Sequence, residues 1–168
     1  DRWLMLGADC VLSHPDHPQP LMAELETYRG CIRYVNGGCS FCVEPLKGRP
    51  VFREPASIIA EARALRERGV ENFRLGAQTC IISYHAELDG TDCPRPNPQA
   101  LEELLSGISA LEPRVLHVDN ANPAVIARHP AESGEILRSL VRHCTPGNVL
   151  ALGMETADPE VGRINNLN

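Results

Sequence analysis

The sequence predicts an α/β fold, a partial (β/α) barrel in which a parallel sheet is covered by outer helices. Three observations carry that expectation. A strand-then-helix unit recurs four times along the 168 residues, with crossovers of the length that parallel, right-handed connections need. Behind Pro98, the residues Leu101, Leu104, Leu105, Ile108 and Leu111 fall at i, i+3, i+4, i+7 and i+10, the spacing of one helix face. Val149 to Met154 is a nearly unbroken apolar run of strand length, the pattern of a strand buried on both faces of a parallel sheet.

Composition sets the class. A hydrophobic share of 43% with 23% charged residues is that of an ordinary globular domain. No run of eighteen apolar residues occurs, and the first residues lack the basic and apolar regions of a secretory signal, so the expected compartment is the cytoplasm, with no membrane partner. Seven cysteines, an odd number with three grouped together, suit a reducing compartment better than a disulfide framework. The formal charge of −6 argues against nucleic acid held by a general basic surface.

Residues 1–20 read as a leader segment and residues 21–168 as the core domain. The leader opens on Trp3-Leu4-Met5-Leu6 and passes into Ser13-His14-Pro15-Asp16-His17-Pro18, where the prolines rule out a helix interior and imply a loop. His14 and His17 read as exposed, and Cys10 as a small packed hydrophobe.

A first strand runs from Leu21 to about Thr27 and feeds the segment Tyr28 to Pro45, YRGCIRYVNGGCSFCVEP. Cys31, Cys39 and Cys42 stand there in the spacing C-x7-C-x2-C, and Gly37-Gly38 let the backbone fold tightly around what the sulfurs hold. On residue types alone two readings stand. Three thiolates can hold a four-iron cluster with one iron left without a protein ligand, or they can form a structural zinc site with a fourth ligand from Cys80, Cys93, Cys144 or a histidine. Arg33, Lys47, Arg49 and Arg53 surround the loop and read as a solvated basic rim, or as a contact to an anionic substrate or an electron donor.

Pro55 and Ser57 open a helix with Ile58, Ile59, Ala62 and Leu65 on one face, stopped by Gly69. The second strand, Asn72 to Ala77, ends in Gly76-Ala77-Gln78. A long loop then reaches Asn97-Pro98, a cap with proline at the first helical position. Val115 to Val118 is the third strand, ending in Asp119-Asn120. Asn122-Pro123 caps a helical turn, and Ser133 starts a helix that Thr145-Pro146-Gly147 terminates. The apolar run from Val149 ends in Glu155-Thr156, and Asp158-Pro159 begins a last helix that Asn165 to Asn168 cut short, so the chain reads as a fragment of a longer protein.

In parallel α/β architectures the binding site lies at the C-terminal ends of the strands. The cysteine loop, Gln78, Asn120 and Glu155-Thr156 each fall at such an end, an agreement a zinc site does not require.

The cysteine loop together with these strand ends resembles the radical S-adenosylmethionine superfamily, and its ETYRGC and GGCSFC segments resemble an uncharacterised group within it. More distantly the chain is similar to methylthiotransferases. The usual family spacing is C-x3-C-x2-C, so four additional residues separate Cys31 from Cys39. The resemblance implies a partial barrel of the radical S-adenosylmethionine type and a [4Fe–4S] cluster on Cys31, Cys39 and Cys42. Its open iron binds S-adenosylmethionine, which an electron cleaves to a 5′-deoxyadenosyl radical. Phe41 takes the position of the aromatic beside the adenine. Gly76-Ala77-Gln78 holds the place of the family segment that contacts the methionine end, and Glu155-Thr156 that of the ribose contact. Asn120 joins them from the third strand.

A flavodoxin- or ferredoxin-like electron donor is the implied partner, and RNA or protein the implied range of substrates. A methylthiotransferase-like modifier of tRNA or protein is the neighbouring alternative, although the second cluster of such enzymes has no counterpart upstream, where only Cys10 stands. A zinc-stabilised binding module is the alternative outside enzymes. Each site residue also has a plainer role: Gln78 satisfying loop backbone, Asn120 forming a turn, Glu155 pairing with Arg163, and Cys80, Cys93 and Cys144 as inert thiols.

Overall fold

A computed structural model of the chain describes residues 2–167; Asp1 and Asn168, the outermost residues of the expected leader and core, lie outside them. In chain order the regular elements are α1 (Arg2–Gly7), β1 (Met22–Glu26), β2 (Tyr28–Arg29), β3 (Val51–Phe52), α2 (Pro55–Arg66) and β4 (Asn72–Gly76). There follow α3 (Pro98–Ser109), β5 (Val115–Val118), α4 (Pro123–Arg128), α5 (Pro130–His143) and α6 (Pro159–Ile164).

Among the described residues the main sheet is parallel, in the order β1-β4-β5. Leu25 lies opposite Leu75, and Leu75 opposite Val118. Successive side chains on a strand point to opposite faces. Leu25, Phe73, Leu75, Leu116 and Val118 therefore form one face, fully buried in the core with Ile58 of α2, Leu101, Leu104, Leu105 and Ile108 of α3 and Ile136 of α5. The other face carries Glu24, Arg74, His117 and Asp119, with Arg74 Nη2 2.5 Å from Asp119 Oδ2 and Arg74 Nη1 3.6 Å from Glu24 Oε2.

The helices start where their caps dictate. Helices α2 to α6 all have proline in the first turn, where the missing N–H costs nothing. Asn97 caps α3 by accepting from the Ala100 N–H at 3.2 Å, and Asn122 caps α4 through the Ala124 N–H at 2.9 Å. Asp158 accepts from the Glu160 N–H at 2.8 Å at the start of α6.

Four expectations need correction. The leader is helical over α1 and continues in a 3-10 turn at Ala8–Ser13, because its prolines begin only at Pro15. Cys10 is exposed rather than packed, whereas Ala8 reaches the core. Helix α5 begins at Pro130, three residues before Ser133, since proline suits the first helical position.

The largest difference concerns Val149 to Met154, which does not form a doubly buried strand. It joins β5's extension through a single parallel bridge, Ala121 to Leu152, and Val149, Leu152 and Met154 are exposed. The free edge of β5 is already occupied by side chains. Thr145 Oγ1 lies 3.3 Å from both the N and the O of Leu116, and Asn148 Oδ1 accepts from the Val118 N–H at 2.8 Å. The incoming segment meets the sheet only past these two residues, where Ala121 N–H donates to Ala151 O and Gly153 N–H to Ala121 O. The described residues thus form a three-stranded parallel sheet flanked by helices, and they do not close a barrel.

Candidate functional site

The cysteine loop is closed at its base by the antiparallel pair β2–β3, in which Tyr28 faces Phe52 and Arg29 faces Val51. Tyr28 is fully buried and fastens this base to the segment after β4. Its hydroxyl donates to Cys80 O at 2.7 Å, accepts from the Cys80 N–H at 2.9 Å and lies 3.1 Å from Thr79 Oγ1. Within the loop, Ile32–Asn36 forms a 3-10 turn and Glu44–Lys47 another. At Gly38, φ is +70° and a Cβ would overlap the Pro45 ring, so both conformation and space require glycine.

The three thiols differ in setting. Cys31 is 8% exposed, and its Sγ accepts from the Arg33 N–H at 3.4 Å. Burial pushes the Cys31 thiol up, against the lowering effect of that backbone donor. Cys39 and Cys42 are half-buried, and Arg33 Nη1 donates to Cys39 Sγ at 3.1 Å. None of the three is in a disulfide.

All three line one cavity of ≈ 360 Å3, within the size range of small-molecule sites. Phe41 and Glu44 contribute from the loop, Gln78 to Cys80 from the end of β4, Asn120 to Asn122 from the end of β5, and Ala151 to Gly153 with Glu155 from the segment beside it. A second, charged cleft of ≈ 640 Å3 adjoins it through Glu44, Gln78, Thr79 and Asn120. Among the described residues, no three His, Cys, Asp or Glu side chains converge as a single metal ion would require. A four-iron cluster makes no such demand, since its thiolates bind different irons.

The strand-end residues are not equivalent. Gln78 is 4% exposed, and its amide is committed: Nε2 donates to Leu75 O and to Asp119 O, each at 3.1 Å, and Oε1 accepts from Thr27 Oγ1 at 3.3 Å. It ties the ends of the three strands together, the plainer of the two roles expected for it. Asn120 lies in the left-handed region with φ +62°, and its carbonyl accepts from the Ile81 N–H at 2.9 Å, so it turns the chain as well as lining the cavity.

Glu155 is exposed and, among the described residues, makes no hydrogen bond or ion pair, while its expected partner Arg163 is taken by Glu160 at 2.7 Å. Phe41 is 64% exposed on the cavity wall. Two expected residues do not line the cavity. Gly76 lies within β4, opposite Glu26, where a Cβ would overlap the Glu24 carboxylate. The Thr156 hydroxyl accepts from the Asp158 N–H at 3.0 Å, at the start of α6.

Sequence reasoning missed several contributors. Arg33 is 4% exposed rather than part of a solvated rim. Arg53 is also largely buried, donating to Glu26 O at 2.9 Å. Lys47 pairs with Glu44 at 2.5 Å, and Arg49 alone of the four basic residues is exposed and makes no ion pair among the described residues. The loop is also clasped from far along the chain. Ser40 Oγ donates to Asn165 Oδ1 at 2.7 Å, and Asn166 Nδ2 donates to Asn36 O at 3.0 Å and Gly38 O at 2.7 Å. The only local signal for this clasp is the pair of asparagines itself.

No protein-family model matches the chain. It is 49% identical over 169 residues to an uncharacterised protein of Methanocaldococcus jannaschii, covering 99% of this chain and 31% of that protein. It is 46% identical over 163 residues to an uncharacterised protein of Archaeoglobus fulgidus, covering 96% and 30%. The chain thus spans about a third of the length of these relatives. A partial, more distant similarity reaches a tRNA-2-methylthio-N(6)-dimethylallyladenosine synthase of Nocardia farcinica, 34% identical over 100 residues, 56% of this chain and 20% of that protein. Another reaches a ribosomal protein uS12 methylthiotransferase of Chlorobium limicola, 38% identical over 73 residues, 43% and 16%.

Proposed function

We propose that the chain is the cofactor-binding part of a radical S-adenosylmethionine enzyme, in which Cys31, Cys39 and Cys42 hold a [4Fe–4S] cluster and the adjoining cavity takes S-adenosylmethionine. The observation that carries this reading is the convergence of three cysteines from one loop with residues from the ends of β4 and β5 on one cavity of ≈ 360 Å3. The donor set fits the cluster: three thiols without disulfides, one of them buried, in a loop whose tight turn admits only glycine at position 38. When bound, a cluster with one open iron supplies the electron that cleaves S-adenosylmethionine to a 5′-deoxyadenosyl radical.

The chain's own residues position and shield. Phe41 offers a ring to the adenine, and Glu155, free of other partners among the described residues, offers a carboxylate to the ribose hydroxyls. Gln78 keeps the three strand ends in register beneath the cavity, and Asn120 turns the chain at its rim. The finer reading favoured by the similarity to methylthiotransferases is modification of a tRNA or a protein; a flavodoxin- or ferredoxin-like electron donor is the partner we propose.

Metal content tests the proposal. Anaerobic reconstitution should give about four irons per chain, lost on replacing Cys31, Cys39 or Cys42 by alanine and kept on replacing Cys10, Cys93 or Cys144. Addition of S-adenosylmethionine should alter the paramagnetic resonance spectrum of the reduced protein. Stoichiometric zinc in protein kept anaerobic throughout would overturn the reading.

A further inference from the structure

The spacer between Cys31 and Cys39 has seven residues, Ile32 to Gly38, and the structure gives those residues work to do. They wind into the 3-10 turn Ile32–Asn36, which starts on the cysteine itself: Cys31 Sγ accepts from the Arg33 N–H at 3.4 Å. The turn directs the Arg33 side chain inward, 4% exposed, so that Nη1 donates to Cys39 Sγ at 3.1 Å. One residue thereby touches two of the three thiols, one through its backbone and the other through its guanidinium.

Burying a guanidinium is costly unless anions and acceptors surround it. The compensation around Arg33 is incomplete. Its Nε is buried and makes no hydrogen bond among the described residues. The nearest carboxylate oxygen, Asp92 Oδ2, is 3.9 Å from Nε and is itself held by Asn36 Nδ2 at 2.9 Å. Positive charge is left facing the Cys39 sulfur, on the wall of the cavity.

A cation and N–H donors at a ligand sulfur stabilise the more negative, reduced state of an iron–sulfur cluster and so raise its reduction potential. We infer that Arg33 is a positioning residue that holds Cys39 and raises the reduction potential of the cluster bound there, with Asp92 as its counterweight. This rests on the proposed function and adds a purpose for the long spacer, because a side chain can bridge the two thiols only if the intervening chain makes a turn.

The test is a redox titration of the anaerobically reconstituted protein, followed by paramagnetic resonance, with iron counted in every sample. Arg33→Gln keeps an N–H donor but removes the charge. At a fixed potential its ratio of oxidised to reduced cluster should rise by about tenfold, a midpoint lower by ~59 mV for one electron. Arg33→Lys should restore most of the parent value. Asp92→Asn should move the midpoint in the opposite direction, while rescue by lysine and not by glutamine is what a purely space-filling role for Arg33 would not produce.

If Arg33→Gln loses its iron, Arg33→Met and Arg33→Lys at full iron content decide: a midpoint lowered in Arg33→Met but not in Arg33→Lys supports the inference, and equal midpoints overturn it. Equal midpoints in all variants at full iron content overturn it while leaving the proposed function standing. A parent protein that binds no four-iron cluster overturns the proposed function, and the inference with it.

Discussion

The two faces of the parallel sheet come from the same three strands and opposite kinds of side chain. Toward the helices, Leu25, Phe73, Leu75, Leu116 and Val118 are all fully buried. Away from them, Glu24, Arg74 and Asp119 form a row of ion pairs beside His117, in which Asp119 is 14% exposed and Arg74 is 38% exposed. In a (β/α)8 barrel the inward face is filled by bulky branched residues that serve packing. Here that face is charged, and its strand ends lead into the cleft of ≈ 640 Å3 that adjoins the cysteine cavity. One face supplies cohesion and the other supplies a polar floor beside the site.

That division breaks if the two sides turn out to matter alike for stability. The largest effect belongs to the apolar side: Phe73→Ala empties a fully buried position and should cost about 3–5 kcal/mol in denaturant unfolding. Gln78→Ala comes next. It leaves Leu75 O, Asp119 O and Thr27 Oγ1 without their amide partner and should cost about 1–3 kcal/mol. Glu155→Ala, on the same cavity and with no partner among the described residues to lose, should leave the unfolding midpoint unchanged. Equal losses for these two variants would show that the cavity wall is structural throughout.

The smallest measurable change sharpens the contrast between charges on the sheet and charges between the helices. Between α3 and α5, Glu102 accepts from Ser139 Oγ at 2.5 Å and lies 3.0 Å from His143 Nε2. The Ser139 hydroxyl first, and His143 second, lower its carboxyl from the ordinary 4.5 to about 2. Because the folded value is the lower one, the stabilisation is fully present above pH 4.5 and is lost as the pH falls toward 2. Glu102→Gln should flatten the pH dependence of unfolding in that window. With the carboxylate 41% exposed, solvent screening keeps the change small.

The apolar face was legible because it is written in local periodicity. The leucines from Leu101 to Ile108, the caps Asn97, Asn122 and Asp158, and the strand Val115–Val118 all stand where spacing and turn chemistry put them. Val149 to Met154 misled for a physical reason: its apolar run is compatible with a central strand, but Thr145 and Asn148 use the edge groups it would have paired with. In the site, the convergence of the cysteine loop with Gln78 and Asn120 followed from strand ends, whereas Glu155 reaches the cavity from a segment that bridges the sheet only at Ala121. The spending of the Gln78 amide did not, because its partners Thr27 and Asp119 are 51 and 41 residues away, and the burial of Arg33 did not, because no periodicity reports that its side chain turns inward to Cys39.

The clasp on the cysteine loop gives the protein a timetable. Ser40 is held by Asn165, 125 residues later. At a synthesis rate of about 5–20 residues per second, roughly 6–25 s separate the making of the loop from the arrival of the asparagines that fasten it. During that interval Cys31, Cys39 and Cys42 already exist in the nascent chain, yet the backbone carbonyls of Asn36 and Gly38 still lack the donor that Asn166 brings. The segment that is born early is finished late: the three thiols reach their final geometry only once Asn165 and Asn166 have been made.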